Sequence, residues 1–202
     1  MRRTLVLTIA ALALTTGVVA GCSSSSSASG SGSTTSSAGA KPAPAESNPA
    51  GDIPDNQAYV TYQPAQGGFT VKVPEGWART TTGNAVTFTD KLNRIEIASS
   101  NAPTAPTPQS VNSKVVPVLQ RQVPAFSMGK VTVVSRQAGR GVLVTYQGNS
   151  APDPVTGKVV HDAFERYSFQ HNGRQVDLTL SGPVGADNVD PWHIVTDSLR
   201  WQ

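Results

Sequence analysis

"YSFQHNGRQVDLTL", residues 167–180, carries the clearest structural signal in this chain. Its centre, Asn172-Gly173, favours a two-residue type I′ turn between two antiparallel strands. That turn fixes which residues lie opposite one another: Tyr167 and Leu178, Phe169 and Val176, His171 and Arg174. One face of the hairpin is therefore apolar. The other face is predicted to be polar and exposed to solvent, and it carries Arg166, Ser168, Gln170, Gln175, Asp177 and Thr179.

On that polar face Arg166 and Asp177 lie diagonally across the hairpin, close enough for an ion pair. An exposed pair contributes only about 0–1 kcal/mol to stability, so we interpret it as a surface feature and not as a site.

The same period of two extends along the chain on both sides of this hairpin. Residues 69–73 alternate as a half-buried strand, and two more hairpins are predicted around turns at 90–94 and 138–141. The first joins Val86–Phe88 to Ile95–Ile97, and the second joins Val131–Val134 to Val142–Tyr146.

Two segments change to helical spacing. Thr107 can cap the first, Pro108 can occupy its first position, and Pro117 predicts a kink; the apolar positions are Val111, Val115, Val118 and Leu119. In the second, Asp190 is the predicted N-cap before Pro191, with a hydrophobic staple between Val189 and Ile194. Because most strands lie between the helices, the predicted class is α+β, an antiparallel sheet covered by helices.

Several short segments resemble the PsbP-like family: "GGFTVKVPEGW" (67–77), residues 167–192, and the terminal "SLRW" (198–201). More narrowly, they resemble small actinobacterial cell-envelope lipoproteins that carry such a domain. The resemblance covers about residues 59–202. It implies an α/β/α sandwich around a mainly antiparallel sheet of six or seven strands. It also implies an accessory or binding role instead of an enzymatic one, and it transfers no site residues.

The first 21 residues have the pattern of a signal peptide: Arg2 and Arg3 precede an apolar run that is too short to span a bilayer. Residues 19–22, Val-Ala-Gly-Cys, resemble the lipobox of bacterial lipoproteins, although valine stands where leucine is most common. Ordinary cleavage after Ala20 is the alternative, but it would leave Cys22, the only cysteine, as an exposed thiol in an oxidising compartment. We therefore predict that Cys22 is lipidated and tethers the chain to the extracytoplasmic face of the cell membrane.

A linker is predicted to follow over residues 22–57, where serine, glycine, alanine, threonine and proline dominate. Such a segment buries too little apolar surface to offset the entropy of ordering it, so we expect it to be disordered. The globular PsbP-like domain is then predicted over residues 58–202.

Charge and motifs exclude several functions. Without Arg2 and Arg3 the basic side chains fall from 16 to 14 against 13 acidic ones, and no basic stripe indicates nucleic-acid binding. His161, His171 and His193 lack metal-ligand spacing, and Asp187, Asn188 and Asp190 are better explained by helix capping than by calcium binding. Trp77, Trp192 and Trp201 are expected to pack in the core. The sequence predicts no catalytic residue, metal or cofactor.

Three functional hypotheses follow. The first is a membrane-tethered, non-enzymatic module that binds an envelope protein or glycan through its polar sheet face or its loops. The second is a carrier of an apolar molecule, with a cavity lined by Trp77, Phe88, Val115 and Leu119. The third is a hydrolase whose acids Asp153, Asp162 and Glu165 meet in one cleft.

Overall fold

A computed structural model describes residues 50–153 and 155–202. In chain order the elements are β1 (Tyr59–Tyr62), β2 (Phe69–Pro74), β3 (Ala78–Thr82), β4 (Ala85–Asp90), β5 (Asn93–Asn101), α1 (Pro108–Lys114), α2 (Val116–Gln122), β6 (Ser127–Arg136), β7 (Gly139–Asn149), β8 (His161–His171), β9 (Arg174–Pro183), α3 (Val189–Asp197) and β10 (Arg200–Trp201). Strands β3-β4-β5-β9-β8-β7-β6 form a seven-stranded sheet, and β1-β2-β10 form a small one. Neighbouring strands in the described residues pair antiparallel.

The central hairpin β8–β9 has the predicted register, with Tyr167 opposite Leu178, Phe169 opposite Val176 and His171 opposite Arg174. Asn172 and Gly173 both have positive φ angles, 47° and 78°, as a type I′ turn requires. The two other predicted hairpins are also confirmed, as β4–β5 and β6–β7.

Each face of the large sheet has its own core because the hydrophobic side chains of each strand alternate. On what we call the α3 face, Phe169, Leu178 and Leu180 pack with Trp192 and Val195 of α3 and with the small sheet. On the opposite α1 face, the helix residues Val111, Val116 and Leu119 pack against Val142, Val144 and Tyr146. The result is the predicted α/β/α sandwich, with β1, β2 and β10 added to the α3 layer.

The first helical segment behaves as predicted. The Thr107 hydroxyl accepts a hydrogen bond from the Ser110 backbone N–H at 3.1 Å, and Pro108 occupies the first turn. The helix breaks at Val115, which separates α1 from α2, since Pro117 has no N–H to donate to the preceding turn.

The predicted start of the last helix is wrong by two residues. Asn188, not Asp190, is the N-cap of α3, and Val189 and Ile194 are 73% and 42% exposed, so they form no buried staple. Asp190 lies in the first turn instead, where its negative charge interacts favourably with the positive end of the helix dipole.

The predicted boundary at residue 57 is also wrong, because residues at the end of the predicted linker pack on the domain. Ile53 is 5% exposed and belongs to the core of the α3 face, and Gly51 is buried. One apolar side chain and a buried backbone segment are enough to order this part of a polar, proline-containing sequence.

Candidate ligand-binding cleft

The predicted signal peptide, Cys22 and the linker up to residue 49 lie outside the described residues. Within the described part of the chain, no helix is both long and apolar enough to cross a bilayer.

The acids of the hydrolase hypothesis do not meet. Asp153 lies in the loop before β8, where its Oδ1 accepts bonds from Val155 N, Thr156 N and Thr156 Oγ1 at 2.7–3.1 Å. Those three bonds lower the pKa of this exposed carboxyl, the Thr156 backbone bond most of all. Asp162 and Glu165 are three positions apart on β8, so they point to opposite faces of the sheet. The hydrolase hypothesis is therefore wrong in the form that the sequence suggested.

The carrier hypothesis fails for a similar reason. Phe88 is buried in the core of the α3 face, whereas Val115 and Leu119 pack on the α1 face. With the sheet between them, they cannot line a common cavity. The tryptophans pack as predicted: Trp192 is buried, Trp77 packs on the same core, and Trp201 donates to the Ala138 carbonyl at 2.9 Å.

The three histidines are separated in space as in sequence. His161 contacts the Asn149 side chain at 3.0 Å, His171 stacks on Trp201, and His193 is exposed on α3. Among the residues that the structure describes, histidine and acidic side chains form no group that could hold a metal ion.

The prediction of an exposed polar face is wrong at the Arg166–Asp177 pair. Its guanidinium and carboxylate are 2.9 Å apart, and the side chains are only 20% and 11% exposed. Asp177 also accepts from Ser168 Oγ at 2.5 Å and from Gln175 Nε2 at 3.0 Å, and Arg166 donates to Thr179 Oγ1 at 3.2 Å. These residues form a buried polar network beside the α1–α2 layer, and this network is structural.

Three stacked aromatic rings adjoin this network. Tyr146 stacks on Phe164 with 4.7 Å between ring centroids and on Phe126 with 5.4 Å. Burial raises the pKa of Tyr146 to about 12, against the opposing effect of the Arg166 charge. The phenol therefore stays protonated at physiological pH and is not poised as a base.

A buried acid lies at the far end of the same face. Asp162 is 4% exposed, and its Oδ1 has no hydrogen-bond partner among the described residues. Burial raises the pKa of this carboxyl to about 6, although the neighbouring His161 charge opposes the shift.

This carboxyl predicts a pH-dependent stability. Between pH 3.8 and about 6 the folded chain binds more protons than the unfolded chain, so stability falls as pH rises through that window. We expect Asp162→Asn to raise the free energy of unfolding by about 1–2 kcal/mol at pH 7.5 and by much less at pH 4. Urea denaturation at both pH values measures the difference. Glu75→Gln, at an exposed turn, is the control, and an equal effect of Asp162→Asn at the two pH values would contradict the prediction.

A cleft of about 310 Å³ lies at the open end of the α3 face, beyond the part that α3 covers. One wall is the β1–β2 connection, residues 63–68, with the flanking Tyr62 and Phe69, and the floor is the end of strands β3, β4, β5 and β9. The floor is apolar at Val86 and Ile97 and becomes polar towards the opening, where Thr81, Asn84, Ser99, Ser100 and Asn101 lie.

Two arginines give this cleft its charge. Arg79 lies over the ring of Tyr62, with its Cζ 4.9 Å from the ring centroid, and Tyr62 in turn packs edge-on against Phe88. Arg174 lies at the other side and donates from Nη1 to the Gly67 carbonyl at 2.8 Å. Of the described residues, none that lines the cleft is acidic. In the described residues the salt bridges are Arg94–Glu96 and Arg166–Asp177, so both cleft arginines lack a carboxylate partner.

The wall of the cleft depends on glycine. Gly67 and Gly68 have φ angles of 66° and 91°, in the left-handed region that favours glycine. A Cβ on Gly68 would lie 2.1 Å from Nη1 of Arg174, so the backbone rests directly on the guanidinium. Arg174 therefore both shapes the wall and faces the cleft.

A second hollow, of about 420 Å³ between β2 and α3, has three of its polar side chains already engaged by the protein. Arg200 donates to the carbonyls of Asp197 and Leu199, Ser198 accepts from Lys72 N, and Asp197 accepts from Gln137 N. The cleft at the end of the α3 face is therefore the better candidate. The sequence analysis missed it because its residues come from four separate segments.

Comparison with protein-family models gives no match, and comparison with curated protein sequences gives none. The structure is similar to the solution structure of cyanobacterial PsbP (CyanoP) from Synechocystis sp. PCC 6803, with 15% identity, a TM-score of 0.52, and coverage of 72% of this chain and 94% of that one. The Ran-binding protein Mog1p of Saccharomyces cerevisiae gives 8% identity, a TM-score of 0.49, and coverage of 71% and 95%. LpqN, involved in cell envelope biogenesis of Mycobacterium tuberculosis, has 10% identity and a TM-score of 0.43, and the match covers 73% of this chain and 92% of that one. The similarity to CyanoP confirms a PsbP-like fold; the narrower resemblance to actinobacterial lipoproteins stays a prediction.

Proposed function

We propose that this chain is a lipid-anchored protein of the extracytoplasmic membrane face whose PsbP-like domain is a non-enzymatic binding module of the cell envelope. The open, carboxylate-free cleft at the end of the α3 face carries the proposal, since it offers polar groups to a ligand without an arrangement for chemistry. The separation of Asp153, Asp162 and Glu165 supports a binding role over a hydrolytic one.

The tether is supported by the lipobox-like residues 19–22 and the serine-rich segment after them. A diacylglycerol on Cys22, with a further acyl chain on the new amino terminus, supplies the two or more chains that stable anchoring needs. The segment between Cys22 and residue 50 is long enough to let the domain sample its surroundings at a distance from the bilayer.

Cys22→Ser is expected to abolish membrane attachment of the mature protein. The variant should leave the membrane fraction or accumulate as an uncleaved precursor, because no sulfur remains to carry the diacylglycerol. Cell fractionation and intact mass measure this, with Ser23→Ala as the control that keeps the cysteine. A wild-type mass that fits an unmodified chain starting at Gly21 would refute the tether.

The binding role is tested by photo-crosslinking in cells from Gln66, an exposed residue at the rim of the cleft. We expect a discrete captured species, either an envelope protein or a glycan. Gln120, exposed on α2 at the opposite face of the sheet, is the matched control. Capture that is equal at both positions, or absent from Gln66, would contradict a binding role for this cleft.

A further inference from the structure

We propose that the cleft binds an acidic saccharide, a sugar unit that carries a carboxylate or a phosphate group. The inference rests on the proposed binding function and specifies the ligand class of that site. Three properties of the cleft lead to it: its charge, the chemistry of its floor and its size.

The charge selects an anion. Arg79 and Arg174 face a space with no acidic side chain, and neither is neutralised by a carboxylate of the described residues. Arg174 uses one N–H on the Gly67 carbonyl, which leaves four of the five guanidinium N–H groups for other acceptors. A planar guanidinium matches the oxygens of a carboxylate or a phosphate and can bind either in a bidentate manner.

Tyr62 makes Arg79 a better anion ligand than a free surface arginine. The ring holds the guanidinium by a cation–π contact and is itself packed on Phe88 of the core. Part of the entropy that an arginine loses on binding is therefore already lost in the free protein.

The floor selects a ligand with hydroxyl groups. Thr81 and Ser99 present hydroxyls, and Asn84 and Asn101 present amides that can donate and accept at once. Ser100 lies beside them, but its side chain points to the other face of the sheet, as does that of its partner Gln175. Within the described residues, none of the four side chains that face the cleft is used in a hydrogen bond to the protein. Such a surface fits a polyhydroxylated ring and offers little to a lipid chain.

The size limits the ligand to a small unit. At about 310 Å³ the cleft lies at the lower end of the range for small-molecule pockets, which suits one or two sugar rings. Because one side is open, a longer glycan could continue into solvent from the bound unit.

The test is calorimetric titration of the full mature protein in detergent with four probes: digalacturonic acid, glucose 6-phosphate, glucose and inorganic phosphate. We expect one or both anionic sugars to bind, and their relative affinity tells whether the anion is a carboxylate or a phosphate. Arg79→Gln should weaken that binding about tenfold, and Arg79→Lys, which keeps the charge, should weaken it less. Arg121→Gln, exposed on α2 at the other face, should have no effect.

The other outcomes overturn the proposal in separable ways. Inorganic phosphate binding as tightly as the sugars would mean a plain anion site, and equal binding of glucose would mean that charge is not recognised. Unchanged affinity in Arg79→Gln would place the ligand elsewhere. If no probe binds while Gln66 still captures a species in cells, the ligand class is wrong and the binding function stands. If Gln66 also captures nothing, both proposals fail.

Discussion

Replacing Asp177 with alanine is expected to lower the free energy of unfolding by about 3–5 kcal/mol. The carboxylate is 11% exposed, forms a salt bridge with Arg166 at 2.9 Å and accepts hydrogen bonds from Ser168 and Gln175. Its removal leaves the Arg166 guanidinium, whose Nε already lacks a partner among the described residues, as an uncompensated buried charge. For a domain of this size such a loss is a large part of the total stability, and urea denaturation followed by circular dichroism measures it.

Two comparisons separate the buried charge from the loss of a side chain. The double variant Arg166→Met/Asp177→Leu removes both charges, and we expect it to recover most of the lost stability. Glu96→Ala breaks the other ion pair, with Arg94, whose side chains are 48% and 33% exposed, and it should cost about 0–1 kcal/mol. If Asp177→Ala costs no more than Glu96→Ala, the network does not have the stabilising role that its burial indicates.

The sequence predicted the hairpin β8–β9 residue by residue because its signals are local. A type I′ turn needs positive φ at both of its central residues, which Asn172-Gly173 supplies. A two-residue turn at this point allows a single strand register, in which Phe169 lies opposite Val176. Once the register is fixed, alternation assigns every side chain to a face. The same reasoning predicted the α1–α2 break, since Pro117 removes one specific N–H.

The alternation of side chains along a strand does not reveal what covers each face of the sheet. For this reason the polar network was predicted to be exposed to solvent. Gln170 donates to the Ala102 carbonyl, which brings the β5–α1 connection onto the polar side of the hairpin. That contact joins residues 68 positions apart, and no local pattern encodes it. The burial of Ser168 and Asp177 follows from this long-range packing.

The cleft could not be predicted from the sequence for a related reason. Strand β3, which carries Arg79, is exposed along its whole length and reads Ala-Arg-Thr-Thr-Thr, so it lacks the hydrophobic alternation that identifies a strand. Its place at the sheet edge comes from pairing with β4. Arg174 was correctly placed beside the Asn172-Gly173 turn, but its contact with Gly67, 107 positions away, appears only in the fold.

The start of the folded domain leads to the last prediction, which concerns Asn188. This buried amide accepts from Ile53 N at 2.8 Å and donates to the Gly51 carbonyl at 2.9 Å and to Asn93 Oδ1 at 3.1 Å. It thereby fastens residues 51–53, which the sequence assigned to the linker, to the body of the domain. Asn188→Ala leaves the Ile53 N–H and the Asn93 Oδ1 without these partners. We expect a loss of about 2–4 kcal/mol in the free energy of unfolding.

Hydrogen exchange separates this role of Asn188 from a role in capping α3. The Asn188 side chain makes no capping bond to the helix, so the exchange of the Ile53 amide should accelerate much more than that of the α3 amides. Asp190→Ala, at the position that the sequence predicted as the N-cap, should cost well under about 1 kcal/mol and leave the Ile53 amide protected. If Asn188→Ala is destabilising and the Ile53 amide keeps its protection, the amide does not hold the start of the domain, and Ile53 is retained by its burial in the core alone.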